Sequence, residues 1–217
     1  MELKGKKIVF LGDSITEGWG TSGQDKHFVT LVGKMGECEV KNYGLWGTRF
    51  ARQITPTSET MDRDFCERVE ELDENADVVI VFGGTNDFGH GDAPLGTIED
   101  RSLYTFYGAC HHLMTRLHER FSGKTIIILT PLHRCHENDP KGDGNKPYHV
   151  APLKTYVNII REMAEYYSLP VLDLYAMSGI QPAVSVIREK LCPDGLHPND
   201  AGHVVIAEKI LAFLRAI

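Results

Sequence analysis

Two short runs, Val78-Val79-Ile80-Val81-Phe82 and Ile126-Ile127-Ile128-Leu129, are apolar at every position. A strand with one face in water alternates polar and apolar residues; these do not, so both their faces are buried. Strands of this kind belong to parallel sheets with helices packed on each side.

Three more segments read as strands by composition and length: Lys7–Leu11, Glu39–Asn42 and Pro170–Leu174, with the two runs extended to Asp77–Phe82 and Thr125–Thr130. Between them, apolar residues recur with helical spacing. The sets are Met61, Phe65, Val69 and Leu72; Phe106, Cys110, Leu113, Leu117 and Phe121; and Leu153, Val157, Ile160, Ala164 and Tyr167. A last helix from about Ala201 carries Val205, Ile206, Ile210, Phe213 and Leu214 as its apolar side. This alternation predicts an α/β sandwich around a parallel sheet with right-handed crossovers. No internal repeat or linker interrupts it, so residues 1–217 are expected to form a single domain. Two irregular stretches, Phe88–Arg101 and His136–Tyr148, each follow a strand and are expected to hang over the same rim.

Composition narrows the function. The net charge of −7, with lysines and arginines scattered along the chain, excludes the basic face that a nucleic-acid partner requires. Five widely spaced cysteines without a CxxC pair suit free thiols in a reducing compartment. The apolar run from Ile8 is broken at once by Gly12-Asp13-Ser14, too short for a signal-peptide core or a membrane span. The expected location is cytoplasmic.

Ligands of open α/β sheets sit beyond the carboxyl ends of the strands. The first strand delivers Asp13 and Ser14 to that rim. Ser14 is a candidate nucleophile, though Asp13, Ser14 and Thr16 are equally residues that cap a helix. A serine nucleophile needs a base. His197, held extended by Pro198 and three residues after Asp194, can be that base with its orienting carboxylate, or a loop histidine bonded to backbone. Phe82-Gly83-Gly84-Thr85-Asn86-Asp87 ends a buried strand in a turn and presents Asn86, whose amide can donate to an oxyanion or simply serve the turn. Asn42-Tyr43-Gly44-Leu45-Trp46-Gly47-Thr48 offers a glycine whose N–H can approach a substrate oxygen closely.

In this order, the blocks Gly12-Asp13-Ser14, Gly47, Gly84-Thr85-Asn86-Asp87 and Asp194-Gly195-Leu196-His197 resemble the SGNH hydrolase superfamily, which includes the GDSL esterases and lipases. The resemblance runs from end to end of the chain, departing at Ile15, where leucine is common. It implies a flavodoxin-like three-layer α/β/α sandwich with a five-stranded parallel sheet. It implies Ser14 as nucleophile, His197 as base and then acid, and Asp194 as the orienting carboxylate. The implied oxyanion hole comprises the Ser14 and Gly47 N–H groups and the Asn86 amide, Gly44 being the alternative to Gly47. No metal or organic cofactor is implied.

Other motifs point elsewhere and carry less. His133–Glu137 and His111-His112 match no zinc spacing. Asp139–Asn145 resembles a calcium loop but has Val150 where the bidentate glutamate belongs. Gly12–Gly18 lacks the lysine of a phosphate loop. His203 is expected to face the core or a loop. Asp13, Trp19, Trp46 and Phe88 are the candidate substrate contacts. A small-molecule or carbohydrate ester is the expected substrate, first a short-acyl or O-acetyl-carbohydrate ester and next a lysophospholipid or thioester. Acyl transfer to another alcohol, and a non-catalytic ligand-binding protein on the same scaffold, are the competing readings.

Overall fold

The computed structural model describes residues 1–143, 146 and 151–217. Five parallel strands form one sheet in the order β2-β1-β3-β4-β5: β1 Lys7–Gly12, β2 Glu39–Gly44, β3 Val78–Phe82, β4 Thr125–Leu129 and β5 Val171–Leu172. All five expected strands are present, and the arrangement is the flavodoxin-like sandwich. The register brings Gly12 opposite both Gly44 and Phe82. Three strands therefore end on one line, and the loops leaving them start side by side.

The strands divide their side chains between two apolar layers, as period-two geometry requires. Val9, Leu11, Val79, Val81, Ile126 and Ile128 point into one, which is closed by α3 (Phe65–Arg68), α5 (Phe106–Arg120) and α6 (Leu153–Tyr166). Ile8, Phe10, Val78, Ile80, Phe82, Ile127 and Leu129 point into the other, closed by α2 (Phe28–Gly36) and α9 (Asp200–Ala216). The remaining helices α1 (Ser14–Glu17), α4 (Thr85–Gly89), α7 (Leu174–Met177) and α8 (Ser185–Leu191) are short. Among the described residues, no helix is long and apolar enough to cross a membrane. All five cysteines are free thiols.

Some elements differ from the sequence reading. The apolar set Met61–Leu72 yields only α3 and one 3₁₀ turn over Val69–Glu71. Asp64 starts α3 by accepting the Glu67 N–H, which leaves Met61 in the loop before it. Helix α2, which buries Phe28, Val29 and Val32 against α9, has no counterpart in the periodicity reading. On α9, Val205 and Phe213 are only partly buried, whereas His203, Ala207 and Leu211 join the core.

Candidate active site

The three strand ends converge on Ser14. Asp13 caps α1 by accepting the Ile15 N–H at 3.0 Å, so Ser14 becomes the first helical residue, directly past the end of β1. Its Oγ lies 3.0 Å from Nε2 of His197.

The histidine comes from the opposite end of the chain. Asn199 caps α9 by accepting the Gly202 N–H, which fixes where the preceding loop ends. Within that loop, Asp194 Oδ1 accepts the N–H groups of Leu196 and His197 at 2.8 and 2.7 Å. Its Oδ2 stands 2.7 Å from His197 Nδ1. Between them, Gly195 takes a left-handed backbone (φ +81°) with Cys135 against it: a Cβ there would meet Sγ at 2.5 Å. The Cys135 N–H bonds the Gly195 carbonyl, joining this loop to the one after β4. Burial pushes the Asp194 carboxyl upward, but its bonds to the His197 ring and the two N–H groups win and hold it down at about 2. The carboxylate is therefore ionised throughout the neutral range and fixes the Nδ1–H tautomer, leaving Nε2 free to accept from the serine.

Asn86 and Gly47 stand on the neighbouring loops. Asn86 lies on α4, past the end of β3, and gives one amide hydrogen to the Thr48 carbonyl at 3.0 Å. The next residue, Asp87, is buried and accepts the N–H groups of Phe50 and Ala51 at 3.0 and 2.9 Å. Burial raises its carboxyl to about 6 despite these bonds. The pair pins the α4 turn to the loop after β2. Gly47 sits in that loop at φ +72°, where Met61 closes over it and a Cβ would come 2.7 Å from Met61 Cγ. Gly44, the alternative, is the last residue of β2 and gives its N–H to Asn42 Oδ1 at 2.8 Å. Among the described residues, the Gly47 N–H has no protein acceptor.

Two of the expected substrate contacts are relocated. Phe88 is fully buried, edge to face with Tyr156 at 6.2 Å, because two positions after Asn86 the helix turns it into the core. Asp13 is also enclosed; burial, partly offset by the Ile15 N–H, raises its carboxyl to about 6, and its function here is the cap. Trp19 and Trp46 are exposed by 48% and 38%. Their rings lie 6.1 Å apart, and Trp19 lies 5.7 Å from the His197 ring.

Sequence reasoning passed over Glu17, whose Oε2 accepts both Trp19 Nε1–H and the Trp46 N–H. It also passed over Thr48 and Arg68, which tie the loops together. His203 is in the core, as expected, accepting the Phe28 N–H on Nδ1. His133 pairs with Glu137 at 2.9 Å, and no group of three or more potential metal ligands occurs among the described residues. The stretch Asp139–Val150 and the loop 136–148 fall partly outside those residues.

Comparison with known proteins gives the family and the fold. Residues 10–205 match the model of the GDSL-like Lipase/Acylhydrolase family. An acetylxylan esterase of Xylanibacter ruminicola is 23% identical over 96% of this chain and 43% of its own length. The chain thus spans less than half of that curated relative. A solved structure from Lactobacillus plantarum is 29% identical, covers 99% of this chain and 98% of its own, and superposes with a TM-score of 0.82. The lipase/acylhydrolase from Enterococcus faecalis is 26% identical over 97% of this chain and 96% of its own, with a TM-score of 0.64. The family model spans most of the chain and the sheet topology is the one this superfamily uses; the chain belongs to the GDSL-like lipase/acylhydrolase family of the SGNH hydrolases.

Proposed function

We propose that the protein is a serine esterase acting through an acyl-enzyme on Ser14. The observation that carries this reading is the unbroken line from Ser14 Oγ to His197 Nε2 at 3.0 Å and from His197 Nδ1 to Asp194 Oδ2 at 2.7 Å. A hydroxyl is a weak nucleophile until a base takes its proton, and this line supplies the base in the required tautomer.

In the first half-reaction, Ser14 Oγ attacks the ester carbonyl while its proton passes to His197 Nε2. The carbonyl oxygen becomes an oxyanion facing the N–H groups of Ser14 and Gly47 and the second amide hydrogen of Asn86. Collapse breaks the bond to the leaving oxygen, which takes the proton back from His197. Water then repeats the sequence on the acyl-enzyme, with His197 again as base and then acid.

The alcohol side of the substrate is a carbohydrate and the acyl group is short. Support comes from the exposed Trp19 and Trp46 rings beside His197, since aromatic faces pack against the apolar faces of sugar rings. The X. ruminicola relative, an acetylxylan esterase, is consistent with this class.

The test is p-nitrophenyl acetate hydrolysis together with fluorophosphonate labelling. Wild-type protein hydrolyses the ester and is labelled at Ser14, and Ser14→Ala loses both while keeping its fold. Hydrolysis that survives in Ser14→Ala refutes the assignment. A wild-type protein that neither hydrolyses esters nor takes the label is instead a binding protein on this scaffold.

A further inference from the structure

We propose that Arg68 is the positioning residue of the oxyanion hole, its guanidinium clamping the backbones that carry Ser14 and Gly47 and, through Thr48, the Asn86 amide. The proposal rests on the esterase reading above and adds a component that lies outside the strand-end blocks.

Arg68 is the last residue of α3 and only 3% exposed. A buried cation is costly without a partner, and most buried arginines face a carboxylate. This one feels Glu71, Asp13 and Glu17 only through space and spends its hydrogen bonds on the strand ends and the loop at the sheet's carboxyl edge. Nη1 donates to the Gly12 carbonyl at 3.1 Å and to Thr48 Oγ1 at 2.8 Å. Nη2 donates to the Tyr43 carbonyl. The Arg68 Cζ lies over the Phe65 ring, 5.4 Å from the centroid.

Two of the three acceptors lead to the oxyanion donors: Gly12 to Ser14, and Thr48 to both Gly47 and Asn86. The Gly12 carbonyl lies one residue before the cap that places Ser14, and it also accepts the Leu45 N–H at 3.1 Å. Thr48 follows Gly47; as its hydroxyl accepts from Arg68 it donates to the Leu45 carbonyl at 2.7 Å, closing the turn that holds Gly47. The Thr48 carbonyl then receives the Asn86 amide at 3.0 Å. Tyr43, next to the end of β2, fixes where this loop departs. One planar fork thus sets the relative positions of groups from three strands, a task for donors in fixed directions that a lysine ammonium cannot match.

Charge adds to geometry. Burial lowers the Arg68 pKa to about 10, so the guanidinium stays cationic at neutral pH. It lies behind the hole where negative charge develops during acyl transfer. A preorganised cation in a water-poor site favours that charge without reorganising during the reaction.

The experiment compares wild-type protein with Arg68→Lys and Arg68→Met, using p-nitrophenyl acetate. End-point fluorophosphonate labelling of Ser14 counts competent sites, so kcat is expressed per site and loss of folded protein does not enter. By analogy with loss of an oxyanion donor, kcat per site falls roughly ten- to hundredfold in both variants. KM stays within about twofold, and the labelling rate falls together with kcat. Arg68→Lys keeps the charge but loses the fork, so near-wild-type turnover per site in that variant overturns the clamp.

A cycle with Asn86→Ala gives a second reading. Two residues serving one hole lose less together than the product of their separate losses. Fully multiplicative losses overturn the proposal. Should neither Arg68 variant yield labelled protein, Thr48→Val decides: it removes the hydroxyl Arg68 holds, and unchanged kcat per site in it overturns the proposal. Failure of the esterase reading looks different, because wild-type protein would then go unlabelled and this proposal would fall with it.

Discussion

Asp194 binds His197 twice: Oδ1 takes the backbone N–H at 2.7 Å, and Oδ2 faces ring Nδ1 at 2.7 Å. One carboxylate therefore fixes both the loop that carries His197 and the orientation of its ring. Asp194→Asn replaces an oxygen with an amide that can turn its N–H toward Nδ1 and favour the wrong tautomer. The expected loss in kcat is roughly 10²- to 10⁴-fold, with a modest fall in melting temperature because the ionised carboxylate that the fold favours is gone. Steady-state kinetics beside thermal unfolding checks this. With the Asp194 carboxyl held at about 2, its own titration adds nothing to the pH–rate profile above pH 4.

Asn86 spends one amide hydrogen on Thr48 and has a second for the oxyanion. Asn86→Ala is expected to lower kcat roughly 10²- to 10³-fold, about 3–4 kcal/mol, with little change in KM. Asn86→Asp keeps the size but brings an acceptor and a negative charge, and should lose at least as much. A variant losing kcat/KM through KM alone would show that Asn86 binds substrate rather than stabilising the transition state.

The legible parts of this protein are those written in local sequence. Runs buried on both faces, such as Val78–Phe82, can pack in few ways, and the polar residues just past them fall on one rim by topology. Residues whose task depends on distant neighbours were not legible. Arg68 sits among Glu67, Glu70 and Glu71, where a charged residue reads as solvated, and nothing in Phe65-Cys66-Glu67-Arg68 tells that its guanidinium reaches the ends of β1 and β2. Phe88 follows Asn86 too closely to look different from a rim residue, yet helical geometry turns it inward. Helix α2 was hidden because Gly33 and Gly36 interrupt its pattern where Val40, Cys38 and Leu211 press close.

On the proposed function, the tryptophan pair is expected to separate sugar esters from small esters. Glu17 braces Trp19 and Trp46 together beside His197, so their placement is preorganised. Trp46→Ala and Trp19→Ala are each expected to raise KM for an acetylated xylo-oligosaccharide roughly five- to tenfold, about 1 kcal/mol or slightly more. On p-nitrophenyl acetate, which has no sugar ring, the change should be several times smaller. Equal losses on both substrates would remove the pair from the account.

His203 is expected to make the α2–α9 contact acid-sensitive. It is fully buried on α9, accepts the Phe28 N–H through Nδ1 at 2.9 Å and stacks on the Phe28 ring at 5.6 Å, so it joins α9 to α2 in its neutral form. Burial, helped by the charges of His27 and His197 and opposed by the Trp19 backbone and Asp200, lowers its pKa to about 4 from the ordinary 6.5. Between those values the unfolded chain binds a proton that the native protein does not, so stability rises with pH across this window. The contribution is fully present above about pH 6.5 and is lost as pH falls through 4, amounting to about 3 kcal/mol. Buried Asp13 and Asp87, raised to about 6, act in the opposite sense, losing stability as pH rises from about 4 to 6. His203→Asn keeps an acceptor near the Nδ1 position and leaves both aspartates in place, so comparing the two proteins isolates the histidine. At pH 7 the variant should melt lower because it packs less well, but between pH 7 and 4.5 it should lose less stability than wild type. Equal pH slopes in thermal unfolding would show that His203 does not control the acid response.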